Sequence, residues 1–264
     1  MARRAIEDRR RSLAWWSAGI VGLVGFTVAL YPSIKGNANF DRLAKDLPDV
    51  VRSAFAFDDA IPITSAPGYL QTRLFGALLP LLLVVFAIGA GARAIAGNEE
   101  AGTLELILMH PVSRSRVVVE RYVAMVAMVV ALGAVAMVAV FVLAPMFGAL
   151  ERVSTGGLVA ACAGATLLAT FHGSLAFALG AATGRRATAA GGAAAFAVFG
   201  YLVHSLGAVS SALEPLRAVS PWHWYLAHNM LAEGPALRAV LPAATVAVAM
   251  LILSGPRFAR RDLG

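Results

Sequence analysis

The chain has 264 residues, of which 59% are hydrophobic and 14% are charged, and its mean hydropathy is +0.75. These values exclude an ordinary soluble protein and indicate a membrane protein. The single cysteine, Cys162, excludes an internal disulfide framework and a cysteine-based zinc site. The net charge of +7 does not indicate nucleic-acid binding, because the basic residues flank apolar runs instead of forming a stripe with interleaved aromatic residues.

Long apolar runs predict an all-α integral membrane protein with six transmembrane helices, since about 20 apolar residues cross the hydrocarbon core of a bilayer. In chain order, we expect the spans to cover residues 13–31, 74–95, 118–146, 157–184, 187–209 and 238–253. Pro80 is expected to kink the second span. The first apolar run is too long for a cleaved signal peptide and is expected to remain as a span. A single domain over residues 1–264 is the simplest interpretation.

Two segments between the spans are expected to lie on the outer surface. In residues 32–70, an apolar stripe predicts one or two amphipathic helices, with Pro48 in the first turn of the second. The stripe is formed by Phe40, Leu43, Leu47, Val51 and Phe55. These helices would shield the outer mouth or, alternatively, gate a substrate. In residues 210–237, Trp222, Trp224 and Tyr225 predict outer interfacial helices, because tryptophan and tyrosine prefer the membrane–water boundary.

The distribution of basic residues predicts the orientation. With six spans and both termini inside, fourteen of the 22 lysine and arginine residues lie on the inner side. Four of the others lie in residues 32–70, beside five aspartates. This arrangement satisfies the positive-inside rule, and the opposite orientation does not.

Residues 97–116 are the charged and polar stretch that separates the second span from the third. The pattern predicts a short amphipathic helix over residues 98–109, with Asn98 as its N-cap and Glu99 and Glu100 in its first turn. Pro111 would end this helix, and Ser113 or Ser115 would cap the next one. Two interpretations follow: an interfacial helix that lies on lipid, or a helix that docks into a soluble partner.

The same stretch resembles the cytoplasmic coupling helix of type-2 ABC transporter permeases. The similarity is the pattern E-x-G-T-L-E-x-x-L-x-x-P-V-S-R, formed by Glu100, Gly102, Thr103, Leu104, Glu105, Leu108, Pro111, Val112, Ser113 and Arg114. It lies where that family has it, between the second and third spans, and the resemblance extends over the whole chain.

The resemblance implies a permease subunit in the plasma membrane of a bacterium, paired with a second copy or a related permease and seated on two cytoplasmic ABC ATPase subunits. ATP and Mg²⁺ would bind the partner, and this chain would bind no cofactor or metal. The residues expected at the ATPase interface are Asn98, Glu99, Glu100, Gly102, Thr103, Glu105, Pro111 and Arg114. Arg114 would bind lipid phosphates or acidic groups of the partner. The substrate would be small or amphipathic, such as a drug, an antibiotic or a lipid.

Two observations point to an external energy source without the resemblance. No Asp or Glu lies within the hydrocarbon part of a predicted span, and only His172 and His204 are ionisable groups at that depth. A buried histidine on a helix is more often a neutral hydrogen-bonding group than a proton relay. The chain also lacks a G-x-x-x-x-G-K-[ST] phosphate loop. Energy for uphill transport must therefore come from another polypeptide.

Two other classes of function remain as alternatives. An intramembrane enzyme would need His172 to activate Ser174, but residues two apart on a helix do not face each other. Instead, Thr166, Thr170 and Ser174 recur every four residues, where their hydroxyls can bond the carbonyl one turn back. Together with Ala165, Ala169, Gly173 and Gly180, they predict a small-residue packing face. A membrane scaffold or assembly protein would explain the spans but not the acidic stretch.

Overall fold

Helices account for all the regular secondary structure in the described part of the chain. The computed structural model describes residues 9–57, 60–102, 113–234 and 237–259. The first half contains α1 (Arg10–Leu30), α2 (Ala38–Lys45), α3 (Asp49–Ala54), α4 (Ala66–Leu70), α5 (Leu79–Ala94) and α6 (Ala96–Glu100). The second half contains α7 (Arg114–Leu143), α8 (Thr155–Thr183), α9 (Arg186–Leu206), α10 (Glu214–Arg217), α11 (Pro221–Leu226), α12 (Met230–Glu233) and α13 (Leu237–Ala259). A π-helical segment, Gln71–Leu78, joins α4 to α5.

Among the described residues, five helical stretches are long and apolar enough to cross a membrane. They are Arg10–Ser33, Ala66–Ala94, Ser115–Phe147, Thr155–Thr183 and Arg186–Leu206. The predicted sixth span falls on α13, where the apolar part found among the described residues is Leu241–Ile252. This part is shorter than the roughly 20 residues that cross a bilayer. The sixth span therefore stays a prediction.

The second span begins earlier than its sequence predicts, at Ala66 instead of Leu74. Ser65 caps its first turn, because the Ser65 side chain accepts a hydrogen bond from the Gly68 N–H at 3.3 Å. The helix extends to the N-terminal side of Leu74 although Gln71 and Thr72 are polar. In the structure both are buried among neighbouring helices, where lipid does not reach them.

Pro80 is accommodated by the π-helical segment that ends two residues before it. The Leu79 N–H donates to the Leu74 carbonyl five residues back, as in a π-helix. Proline has no N–H, so the next carbonyl in this register, that of Phe75, receives no bond from residue 80. The Tyr225 hydroxyl donates to the Phe75 carbonyl at 2.9 Å instead. A side chain 150 residues away therefore completes the backbone of this span.

Helix α8 is the centre of the bundle and contacts α5, α7, α9 and α13. It crosses α5 with backbone in contact, because a Cβ added at Gly91 would overlap the Gly173 carbonyl oxygen. The predicted hydroxyl pattern is confirmed: Thr166 donates to the Cys162 carbonyl, Thr170 to that of Thr166, and Ser174 to that of Thr170. Each hydroxyl therefore has an acceptor within its own helix. The small residues of the same face, such as Gly173, let the neighbouring helix come close.

The bundle has two ends, which the helix directions define. The basic end carries Arg10, α6, Ser113 and the turn at Gly184–Arg185. The far end carries residues 31–65, 144–154 and 207–234. Glycines in the left-handed conformation close one turn at each end, with a φ of +69° at Gly148 and +66° at Gly184.

At the far end, the predicted outer helices form but pack differently from the prediction. Pro48 is the N-cap of α3 and not a residue of its first turn. The predicted apolar stripe is not buried within the chain: Leu43 is 60% exposed, and the buried residue of α2 is Ala44. Trp222 and Tyr225 are buried against neighbouring helices, and the position of these helices at the membrane boundary stays a prediction.

Candidate coupling site

The candidate coupling site lies at the basic end, where the chain leaves α5 and later enters α7. Helix α6 follows α5 after Ile95, and Ile95 and Ala96 are both buried. Asn98 is therefore inside a short helix, so its predicted role as N-cap was wrong. The reason is that Ile95 and Ala96 continue the buried apolar surface of α5, and the chain is helical again from Ala96.

The helix ends before Gly102, so the predicted helix over residues 98–109 does not run unbroken through its first half. Ala101 leaves the helical conformation, and the Gly102 N–H donates to the Glu99 carbonyl at 2.9 Å. Gly102 has a φ of +65°, a region that residues with a Cβ rarely adopt. Nothing lies within 4 Å of a Cβ added there, so the requirement for glycine comes from the backbone and not from crowding.

Glu100 makes a contact that the sequence did not predict. Its carboxylate Oε1 accepts a hydrogen bond from the Arg186 backbone N–H at 2.8 Å. Arg186 is the first residue of α9, 86 positions further along the chain. The nearby Gly97 is overlaid by the side chains of Arg93 and Arg186, whose carbons would lie 3.3 and 3.7 Å from an added Cβ. The acidic turn thus lies against the start of α9, among basic side chains.

The other predicted interface residues are placed less completely. Glu99 is half-buried. Thr103, Glu105 and Pro111 lie outside the described residues, as do the side chains of Asn98 and Arg114. The eight predicted residues therefore stay a prediction as a set.

The entry into α7 follows the sequence prediction. Ser113 is the N-cap, and its hydroxyl accepts a hydrogen bond from the Arg116 N–H at 3.3 Å. One turn on, Arg116 Nε donates to the Glu120 carboxylate at 2.9 Å. These contacts give α7 a defined start.

A polar contact inside the bundle joins α7, α8 and α13. The Tyr122 hydroxyl lies 2.8 Å from Ser174 Oγ and 3.1 Å from the Ala247 carbonyl oxygen. The His172 ring bonds elsewhere, because its Nδ1 lies 2.8 Å from the Leu168 carbonyl. Nδ1 is therefore the donor, and the imidazole is a neutral hydrogen-bonding group of its own helix. This geometry does not make a nucleophile–base pair of His172 and Ser174.

At the far end, three part-buried hydrogen bonds attach α3 to α9. Ser53 Oγ donates to the Ser205 carbonyl at 2.8 Å, and the Tyr201 hydroxyl donates to the Ala54 carbonyl at 2.8 Å. His204 Nε2 donates to the Ser53 carbonyl at 3.2 Å. Because Nε2 carries the proton, Nδ1 of neutral His204 is an acceptor, and His223 Nδ1 donates to it at 3.3 Å.

The electrostatics of the far end favour neutral histidine and a local ion pair. Burial lowers the pKa of His223, and the neighbouring Arg217 and His228 lower it further. At the surface, Lys35 pairs with Glu151 at 2.6 Å, and this hydrogen bond raises the pKa of Lys35. Among the described residues, no group of three His, Cys, Asp or Glu side chains is arranged to hold a metal ion.

The Glu100–Arg186 contact was not predicted, although the sequence contains a signal for it. Residue 185 precedes a helix and is an arginine, not the Ser, Thr, Asp or Asn that usually caps the first turn. Its side chain makes no capping bond, so the first N–H of α9 needs an acceptor from elsewhere. Tyr122 had no comparable signal, because its partners lie 52 and 125 residues away.

Comparison with known proteins agrees with this architecture. A search of curated proteins finds no match. The family model described as "ABC-2 family transporter protein" matches residues 1–263, nearly the whole chain. The five long apolar helices found among the described residues fit the membrane part of such a transporter, which generally works with a cytoplasmic ATPase. The chain belongs to the ABC-2 transporter family and is a multi-pass membrane permease.

Proposed function

We propose that this chain is the non-catalytic membrane subunit of an ATP-driven exporter of a small or amphipathic substrate, such as a drug, an antibiotic or a lipid. A separate cytoplasmic ATPase dimer supplies the energy and binds ATP and Mg²⁺. Two permease copies, or this chain and a related one, pair in a bacterial plasma membrane. Both termini are cytoplasmic, and α13 provides a sixth span.

The observation that carries the proposal is the position of the acidic turn. Glu99 and Glu100 lie at the end of α6, which follows α5 at the basic end, and Glu100 is exposed to solvent. The Glu100 carboxylate bonds the Arg186 N–H through Oε1 and is still exposed, so it adds negative charge to the surface of the basic end, where a soluble partner can contact it. The sequence itself contains no phosphate loop, so ATP hydrolysis belongs to that partner.

The proposed mechanism uses α5 and α7 as levers. Closure of the ATPase dimer on ATP pushes residues 96–102, which connect directly to the buried end of α5. The close Gly91–Gly173 contact transmits the displacement of α5 to α8 at the centre of the bundle. The Tyr122–Ser174 contact links α7 to the same helix. An outward path opens when these helices tilt together.

The experiment is a mild-detergent pull-down of the tagged chain from its native cell, assayed for a bound ATPase and vanadate-sensitive ATP hydrolysis. We expect a stoichiometric ATPase that is lost when Glu99 and Glu100 are both replaced by Ala. The matched control replaces Asp46 and Asp49, two exposed acids at the far end, by Ala. That control removes the same charge and should retain the ATPase.

Three outcomes would contradict the proposal. A chain that comes down without a nucleotide-binding partner would favour the scaffold alternative. An ATPase retained in the Glu99→Ala, Glu100→Ala variant would show that the acidic turn is not its docking site. Loss in both double variants would indicate a general effect of charge and not a specific interface.

A further inference from the structure

The start of α9 depends on an acceptor from outside its own sequence neighbourhood. A helix leaves its first N–H groups without intrahelical partners, and a side chain at the N-cap usually satisfies one of them. Arg185, the N-cap of α9, makes no such side-chain bond. The Arg186 N–H is bonded instead by the carboxylate of Glu100, at 2.8 Å.

The electrostatics of this contact favour a carboxylate. The N-terminal end of a helix carries a partial positive charge, which stabilises an anion placed there. Arg185 and Arg186 add positive charge at the same point, and the Arg93 and Arg186 side chains flank the α6 backbone at Gly97. Glu100 is thus held by its charge as well as by its hydrogen bond.

Helix α9 also connects the two ends of the bundle. It has 21 residues, so it is about 30 Å long at 1.5 Å per residue. At its far end, Tyr201 and His204 bond the backbone of α3, and His204 pairs with His223 of α11. Any displacement of its first turn therefore reaches the far-end segments through one rigid helix.

From this geometry we propose that Glu100 is a positioning residue that couples the acidic turn to α9. In this role it acts within the chain, and α9 joins α5 and α7 as a third helix moved by the ATPase. The displacement reaches the α3 and α11 segments at the far end. The inference rests on the proposed function for the source of the movement, whereas the bond itself can be tested on the chain alone.

The first test measures amide hydrogen exchange of the full chain in lipid nanodiscs without an ATPase. Replacing Glu100 by Ala should speed exchange in the first turn of α9 by about tenfold, since a lost cap costs a helix terminus on this order. Glu100→Gln keeps an oxygen acceptor and should restore most of the protection. Asp46→Ala, which removes one exposed acid at the far end, is the control and should leave the first turn of α9 unchanged.

A second pair of variants separates the Arg186 N–H from the Arg186 side chain. Arg186→Pro removes the donor, and proline is well tolerated at the first position of a helix. Arg185 has a φ of −112° and a ψ of 114°, close to the conformation that precedes proline. Arg186→Ala removes the side chain and keeps the donor. Exchange in the rest of α9 shows whether each variant remains folded.

The coupling readout uses nitroxide labels at exposed Met146 and Ser211, both at the far end, in the complex with its ATPase. Adding ATP and vanadate should change the distance between these labels in the parent protein and in Arg186→Ala. The distance change should be reduced at least fivefold in Glu100→Ala and in Arg186→Pro. A variant that carries both substitutions should show the same reduction as Arg186→Pro alone.

The outcomes distinguish the two proposals. Unchanged exchange in Glu100→Ala would overturn the contact itself. Faster exchange with an unchanged label response would show that Glu100 only caps α9, which overturns the coupling role. If ATP and vanadate change the distance in no variant, including the parent, the proposed function fails and the coupling role falls with it, while the exchange data still decide the bond.

Discussion

At the far end of the bundle, part-buried hydrogen bonds attach α3 to α9, whereas at the basic end the bond between Glu100 and the start of α9 is exposed to water. A hydrogen bond shielded from water is costly to break, because the separated groups lose their partners without regaining solvent. An exposed bond costs less to break, because water can replace the lost partner. The comparison indicates a stiff far end and a basic end that can move or bind a partner.

The burial of the helices shows the same contrast across the bundle. In α8 and in the helical stretch Ala66–Ala94, 67% of the residues in an apolar segment of 18 residues are buried. In Arg10–Ser33, which contains α1, the corresponding share is 22%. The helix of the acidic turn, α6, follows α5 directly, and α5 packs against α8. Helix α1 lies at the periphery of the bundle. The acidic turn therefore follows one of the two best-packed helices, although Glu100 itself is exposed.

The largest expected effect comes from Tyr225→Phe, which breaks the stiff end. It removes the donor to the Phe75 carbonyl and leaves this buried acceptor unpaired, which should destabilise the protein by about 1–3 kcal/mol. Thermal unfolding in detergent measures the loss. In a Pro80→Ala background, the new N–H can reach the Phe75 carbonyl, so the same Tyr225→Phe change should cost much less. Equal losses in both backgrounds would contradict the proposed relation between Pro80 and Tyr225.

A smaller effect is expected from acid. The pKa of His223 is lowered in the fold by burial, Arg217 and His228, so the folded state favours the neutral ring. The part of the unfolding free energy that depends on a neutral His223 ring is fully present above the unfolded pKa of about 6.5. It is lost as the pH falls from there towards the lowered pKa of His223 in the folded state. A proton on His204 Nδ1 would also remove the acceptor for His223.

Hydrogen exchange at pH 7.5 and pH 5.5, corrected for the intrinsic rate, checks this prediction. Protection in residues 49–57 and 221–226 should fall at the lower pH, and protection in α8 should not. The control is His223→Gln, which should make these segments insensitive to the change of pH. A uniform loss across the bundle would instead indicate global unfolding.

The smallest effect is expected from Lys35→Ala. The Lys35–Glu151 pair is exposed, with side chains 44% and 58% accessible, and water and salt screen such pairs. We expect no measurable shift in Tm, at low or high salt. A clear salt-dependent loss would show that far-end stiffness depends on surface charge, and not on the part-buried contacts of α3 with α9.

Local sequence was sufficient for several features of the fold and the site. The cap at Ser113 depends on a serine three residues before the N–H that it accepts. The hydroxyl bonds of Thr166, Thr170 and Ser174 depend on spacing within one helix. The acidic turn was also predicted from local sequence, because its carboxylates lie between two apolar runs.

By itself, then, the sequence determined the helical class, most of the long apolar helices and the position of the acidic turn, because these follow from periodicity and capping over a few residues. Only the tertiary structure decided the early start of the second span, the burial of Trp222 and Tyr225, and the bonds of Phe75 to Tyr225 and of Glu100 to Arg186. Each of these depends on groups that are distant in the chain and meet only when helices pack. Gln71, a polar residue outside the predicted second span, is therefore buried in a π-helical segment of the fold.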